Sequence, residues 1–168
     1  GGSIGGCELS RRTGLPNLLC VDMGGTSFDL SLVIDGQPEM TSETVLEGLP
    51  LLMSIVSIDT VGAGGGSIAW VEAGGLRVGP QSAGSFPGPV SYSRGGTEPT
   101  VTDANLFLGR LGDDSLLDGK MKLDSEATRK AMERLGSQIG LSDREPAEGI
   151  PAISNAKMAD AMRTITVG

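Results

Sequence analysis

Histidine is missing altogether from the 168 residues. This chain can therefore supply no histidine general base, no Ser–His pair and no histidine-containing zinc site. Cysteine is scarce: Cys7 and Cys20 belong to no CxxC pair, so a cytoplasmic protein with free thiols is expected rather than a disulfide scaffold. Aromatic residues make up only 3% of the chain, which leaves the core to Leu, Ile, Val, Met and Ala. Positive charge is short as well, with 13 Lys and Arg against 21 Asp and Glu and a net charge of −8. No basic face is available to meet phosphate backbones or anionic lipid, so neither a nucleic acid nor a membrane surface is an expected partner. No apolar run approaches the roughly 18 residues that a membrane span needs. The opening "GGSIGGCELSRR" has no apolar h-region, so no signal peptide is expected. What chemistry remains must run on carboxylates, hydroxyls, backbone N–H groups, Lys and Arg.

Glycine is what the chain has in excess: 27 residues, more than twice the usual share of about 7%. The glycines cluster without a period, which excludes collagen and points to backbone that turns tightly or approaches something closely. Length sets one domain as the expectation. The chain has no initiator Met, opens inside a glycine cluster and stops at "TITVG"; it is expected to be a fragment of a longer protein.

Residues 1–16 suggest a turn and then a short helix ended by Gly14 and Pro16. Residues 17–23 form an apolar run expected as a buried strand. Residues 26–34 alternate Phe28, Leu30, Leu32 and Ile34 against Ser27, Asp29, Ser31 and Val33, the period of a half-buried strand. Asp35-Gly36 is a strong hairpin signal, and a third strand over 37–45 completes a β-meander. An apolar run occupies 49–58. Two short strands around a Gly74-Gly75 turn follow in 68–79. The proline- and glycine-rich stretch 80–99 is too long for an idle connector and is functional or disordered. Thr102-Asp103 marks a helix start. Helices are expected over 124–139, weakened by Gly136, and over 151–165. Strands precede helices, so the fold class is α/β or α+β.

Three constellations carry chemistry. In "DMGGTSFD", Gly24, Gly25, Thr26 and Ser27 sit at a hairpin tip whose consecutive N–H groups form a concavity suited to phosphate. Asp22 and Asp29 flank it. A carboxylate cannot bind phosphate directly, but it can act through Mg²⁺, for which Asp22 is the candidate ligand, or position a water. The plainer alternative is a glycine hairpin whose acids face solvent. In "DTVGAGGGS", Asp59 precedes Gly64, Gly65 and Gly66; a ligand-facing loop and a tight packing turn both fit. In "SYSRGGTEPTVTDAN", Arg94 is a candidate clamp for phosphate or carboxylate, whereas Asp103 fits either a cation site or a helix cap. Lys157 and Asp160 suit a solvated helix face.

The long stretches "DMGGTSFDLSLV", "DTVGAGGGSIAWVEAGGLRVGPQSAG", "RGGTEPTVTDANLFLGRL" and "NAKMADAMRTITV" resemble the hydantoinase A and 5-oxoprolinase family of the actin-like ATPase clan. The resemblance covers essentially the whole chain. It departs at "GPVSYSRGG", where "GPACYGRGG" is the expected pattern, so Ser91 stands in place of a cysteine. The resemblance implies an α/β fold: one partial lobe of an actin-like ATPase, a β-meander with a glycine-rich phosphate hairpin followed by helices. Residues 1–168 then represent a fragment whose N-terminal lobe, with a first phosphate loop, lies outside it. It further implies ATP, with Mg²⁺, as cofactor; taken with the residue patterns above, the expected catalytic carboxylates are Asp22, Asp29 and Asp59, and the expected nucleotide-binding residues are Gly24, Gly25, Thr26, Ser27, Gly64, Gly65, Gly66 and Arg94. The implied activity is ATP-dependent opening of a cyclic amide, a hydantoin or 5-oxoproline, with a hydantoinase B-type subunit or domain as partner. One alternative within the same resemblance is the ATP-using β-subunit of an acetone-type carboxylase; another, from a different class, is a non-catalytic actin-like nucleotide-binding module.

Overall fold

The computed structural model describes residues 1–42, 44–46, 49–51, 54–114 and 120–167. They fall into two units: Gly1–Asp22, Phe28–Thr60 and Met162–Gly168 make up the first, Met23–Ser27 and Val61–Ala161 the second. Among the described residues no helix is long and apolar enough to cross a membrane.

In the first unit the glycine cluster is helical, not a turn. Helix α1 (Gly2–Thr13) ends where Gly14 takes a left-handed φ of 73° and donates its N–H to the Ser10 carbonyl. Its buried face is made of small residues, Ser3, Gly6 and Ser10. A Cβ on Gly6 would stand 2.4 Å from Cys20 Sγ and 3.1 Å from Val33 Cγ2, so the glycine allows the helix to lie close on the strands. The Ser3 and Ser31 hydroxyls share a buried hydrogen bond of 2.9 Å.

Strands β1 (Leu18–Met23), β2 (Phe28–Ile34) and β3 (Gln37–Pro38) lie in the order β1-β2-β3, and a later strand, β8 (Asp59–Val61), also pairs with β2. The run expected as a buried strand is only half-buried over Leu18–Cys20 and exposed beyond. The expected alternation on β2 also breaks: Phe28, Leu30, Ser31 and Val33 are buried while Ile34 is exposed. Helix α1 covers the face that alternation assigned to solvent, so the strand is packed on both sides after Leu30. The hairpin signal holds. Asp35 (φ 51°) and Gly36 (φ 75°) form a two-residue turn that sets Ile34 opposite Gln37. The strand expected over 37–45 is broken into pieces. Strand β4 (Met40–Thr41) pairs with β7 (Ile55–Val56), and β5 (Thr44–Leu46) with β6 (Leu49–Leu51). Positions 43, 52 and 53 of the expected strands lie outside the described residues.

The second unit opens with an antiparallel hairpin of β9 (Ser67–Glu72) and β10 (Gly75–Ser82). Its turn is Ala73-Gly74 rather than Gly74-Gly75, because Gly75 already pairs with Glu72. Helices α2 (Val101–Phe107), α3 (Ser125–Ser137) and α4 (Arg144–Val167, counted in this unit as far as Ala161) follow, with a 3₁₀ turn, η1, at Val90–Tyr92. Ala69 and Val78 from the hairpin pack with Val101, Ala104, Met132, Leu135, Ala147 and Ile150 from the helices in one aliphatic core. Helix α4 begins seven residues before its expected start and carries Pro151 in its interior. Pro146 and Pro151 are both buried beside Ala147 and Ile150, and that packing overrides the break a proline favours. Gly136, expected to weaken α3, is required by contact: a Cβ there would stand 2.3 Å from the Ser142 carbonyl oxygen.

The loop between β10 and α2 is ordered by one side chain. Helix α2 is capped by Thr100, two residues before the expected start, with Asp103 closing a capping box. The fully buried Asp103 carboxylate also accepts from the N–H groups of Val90 (3.1 Å) and Ser91 (2.8 Å), besides Thr100 N (2.8 Å) and Thr100 Oγ1 (2.9 Å). Four donors occupy it, which decides between a cation ligand and a cap in favour of the cap. Asp103→Asn removes the charge and turns an amide N–H₂ toward those donors. Urea denaturation of that variant is expected to show a loss of about 1–3 kcal/mol.

Candidate functional site

In the second unit the turn Met23–Ser27 and the loop Gly62–Gly66 are joined through their backbones. Gly65 N–H donates to the Gly24 carbonyl at 3.1 Å and Gly66 N–H to the Gly25 carbonyl at 2.6 Å. The turn closes on itself through Gly24 N–H to the Ser27 carbonyl at 2.9 Å. Gly64 N–H is taken by Ser67 Oγ at 2.9 Å. Among the described residues the N–H groups of Gly25, Thr26 and Ser27 have no acceptor.

Peptide planarity turns this pattern into a direction. In a trans peptide the C=O and N–H point opposite ways. The Gly24 and Gly25 carbonyls are pinned on the Gly65 and Gly66 N–H groups. The N–H groups of Gly25 and Thr26, which belong to those same two peptides, therefore point away from the glycine loop. Two adjacent donors aimed to one side are the kind of arrangement that can receive an anion. Thr26 Oγ1 lies 3.3 Å from Ser82 Oγ, which accepts Gly84 N–H at 3.1 Å, so the hydroxyl beside the turn is held as well.

The glycines divide into two kinds. At Gly64 a Cβ would stand 2.7 Å from Gly24 O and from the Gly25 carbonyl carbon and oxygen; at Gly66 it would stand 2.9 Å from Gly25 O. Those glycines permit the loop to back the turn. At Gly25 a Cβ would meet nothing within 4 Å, and at Gly24 only Ser27 O at an ordinary 3.6 Å. Neither has the left-handed φ that would itself call for glycine. Within the described residues, the Cβ position at Gly25 is open, so glycine is not required there by packing. The sequence pattern fits Gly64, Gly65 and Gly66 either as a ligand-facing loop or as a tight packing turn; their N–H groups are hydrogen-bonded inside the protein, to Ser67 Oγ and to the Gly24 and Gly25 carbonyls.

In the first unit Asp22 and Asp29 line one cavity of about 160 Å³ together with Cys20, Leu30 and Ser31. Asp29 Oδ1 accepts from Thr60 Oγ1 at 2.8 Å. The Asp22 carboxylate is exposed and has no hydrogen-bond partner among the described residues. Asp59, on β8, is exposed and is not among the residues lining that cavity, although its neighbour Ile58 is. Among the described residues no group of three or more Cys, Asp or Glu side chains is placed to hold a metal ion alone. Two carboxylates still suit Mg²⁺, which is usually held by one or two carboxylates, waters and substrate phosphates.

Arg94 belongs to the second unit. Its Nη1 donates to the Ser85 carbonyl at 3.4 Å and its guanidinium carbon lies 6.0 Å from the Tyr92 ring centroid. Ser85 follows Ala83, whose N–H donates to the Gly66 carbonyl at 2.8 Å, so Arg94 is tied to the same backbone network two residues on. Thr102, Ser67 and Ser82 hold the turn and loop in place; the sequence marks Thr102 only as a helix start and neither serine as a site residue. No periodicity places a helix-start threonine beside a glycine loop 37 residues earlier.

The architecture is a mixed α/β fold with antiparallel sheets, the actin-like fold of ATP-using enzymes. It superposes on acetone carboxylase in its nucleotide-free structure with a TM-score of 0.89 at 31% identity, over 99% of this chain and 24% of that one. The chain belongs to the hydantoinase/oxoprolinase family, whose profile matches residues 1–168. It is 41% identical over 164 residues to caprolactamase subunit alpha of Pseudomonas jessenii, covering 96% of this chain and 24% of the relative. It is 40% identical over 166 residues to 5-oxoprolinase 1 of Arabidopsis thaliana, covering 89% of this chain and 13% of the relative. The chain thus spans about a quarter or less of the length of these relatives.

The two kinds of glycine separate experimentally. Gly64→Ala has to displace the backbone of the turn and is expected to lower stability by about 1–3 kcal/mol. Gly25→Ala is expected to change it by less than about 0.5 kcal/mol. Urea midpoints of the two variants measure the contrast.

Proposed function

We propose that this chain carries one of two phosphate grips of an ATP-dependent enzyme that opens a cyclic amide. The single observation behind this is the pair of N–H groups at Gly25 and Thr26, directed away from the glycine loop by internally bonded carbonyls in a turn whose two glycines carry no Cβ. That is the geometry in which backbone donors meet phosphate oxygens without crowding. ATP would supply the phosphoryl group that makes the ring amide electrophilic at carbon. This chain's own task is to orient the phosphates through Gly25, Thr26 and Ser27. Asp22 and Asp29 are the candidates to hold Mg²⁺ or a water through their carboxylates, Asp59 is a further candidate carboxylate, and Arg94 is a candidate phosphate clamp. A second grip would come from the rest of the longer polypeptide, as the length of the relatives suggests, and a hydantoinase B-type subunit or domain would complete the enzyme. The relatives named for a lactamase subunit and for 5-oxoprolinase favour a hydantoin, a lactam or 5-oxoproline as substrate, acted on in the cytoplasm.

A second reading is supported by the likeness to acetone carboxylase. There the same phosphate grip would serve carboxylation of a ketone. ATP turnover by the full-length protein discriminates: stimulation by 5-oxoproline, a hydantoin or caprolactam supports ring opening, and stimulation by a ketone with bicarbonate supports the carboxylase. In either case Asp22→Ala is expected to lower the stimulated turnover about 10²-fold, the scale lost when one preorganised charge-handling group is removed. Undiminished turnover would remove Asp22 from the mechanism.

A further inference from the structure

We propose that Thr102 is a positioning residue for the phosphate turn, acting through the Gly65–Gly66 peptide. This rests on the phosphate-grip reading above and assigns a side chain to it from outside both loops. The Gly65 carbonyl accepts twice from one residue: Thr102 N–H at 2.8 Å and Thr102 Oγ1 at 2.8 Å. The N–H of that same peptide, on Gly66, makes the 2.6 Å bond to the Gly25 carbonyl, the shorter of the two bonds between loop and turn. The peptide of Gly25 in turn presents the Thr26 N–H outward. Three donors therefore stand in series: Thr102, then Gly66 N–H, then Thr26 N–H. Each carbonyl that accepts a hydrogen bond polarises its peptide and strengthens the next donor in the series.

The contact has no slack. A Cβ on Gly65 would stand 2.8 Å from Thr102 Oγ1, so the glycine is there to admit the hydroxyl. Thr102 itself sits on a fixed platform. It lies in the first turn of α2 between Thr100 and Asp103, whose capping box is fully buried. Valine at 102 keeps the shape and the backbone N–H but puts a methyl group where the hydroxyl donates. The methyl cannot approach a carbonyl oxygen at hydrogen-bond distance, so the peptide tilts and the Gly25 carbonyl loses its fixed direction.

The test uses the full-length protein with MgATP, tripolyphosphate and adenosine as separate probes in isothermal titration. Thr102→Val is expected to weaken MgATP and tripolyphosphate about 3- to 10-fold, the scale of one hydrogen bond, and to leave adenosine affinity unchanged. Thr102→Ser retains the hydroxyl and is expected to bind like the wild type, which a purely space-filling threonine would not predict. Gly25→Val, which puts a branched side chain on the turn itself, is the reference for the underlying reading. Wild-type affinity in Thr102→Val alongside lost affinity in Gly25→Val overturns the role of Thr102 and leaves the phosphate turn standing. Wild-type affinity in both overturns the phosphate turn itself. Equal losses for adenosine and tripolyphosphate in Thr102→Val would show general loosening and also overturn the proposal.

Discussion

Two backbone hydrogen bonds, Gly65 N–H to Gly24 O and Gly66 N–H to Gly25 O, determine what the second unit can do. Their individual strength is modest, about 0.5–1.5 kcal/mol net each. Their importance is directional. They turn two carbonyls inward and so commit two N–H groups outward. The rest of the second unit can be understood as support for that commitment. Gly64 and Gly66 let the loop come close, Ser67 and Thr102 hold the loop's own peptides, and Ala83 N–H donates to the Gly66 carbonyl. Loop residues at a functional site are expected to be placed in this way by a rigid scaffold.

The buried carboxylate of Asp103 has the corresponding role in the layer behind the loop. It gathers donors from η1 and from Thr100 into one cap at the start of α2, and α2 in turn brings Thr102 to Gly65. A charge buried this deeply persists only when fully hydrogen-bonded, as this one is. The acid whose sequence context fits both a metal ligand and a cap is therefore a cap, whereas Asp22, Asp29 and Asp59 are exposed or half-buried.

Local signals were legible where a turn needs a particular conformation. Asp35-Gly36 named its hairpin because both residues must take positive φ. Ala73-Gly74 was misplaced by one residue because two consecutive glycines offered two equally good turns and only strand register chose between them. The turn at 24–27 is legible from its composition and from family resemblance, but which of its N–H groups stay unbonded is not. Whether an N–H is free depends on which carbonyl a distant loop presents, and no local pattern carries that. Burial on β2 failed for the same reason: alternation assumes one covered face, and α1, packed through Ser3 and Gly6, covers the other. Helix α4 extended through Pro151 because burial beside Ile150 outweighs a propensity rule.

The most direct measurement is a crystal structure of the full-length protein with a non-hydrolysable ATP analogue and Mg²⁺. The expected result is a phosphate oxygen about 2.7–3.2 Å from both Gly25 N and Thr26 N, with Gly65 N and Gly66 N still bonded to the carbonyls of Gly24 and Gly25. Phosphate bound on the Gly65 and Gly66 N–H groups, or a nucleotide that leaves Gly25 and Thr26 untouched, would contradict the phosphate turn.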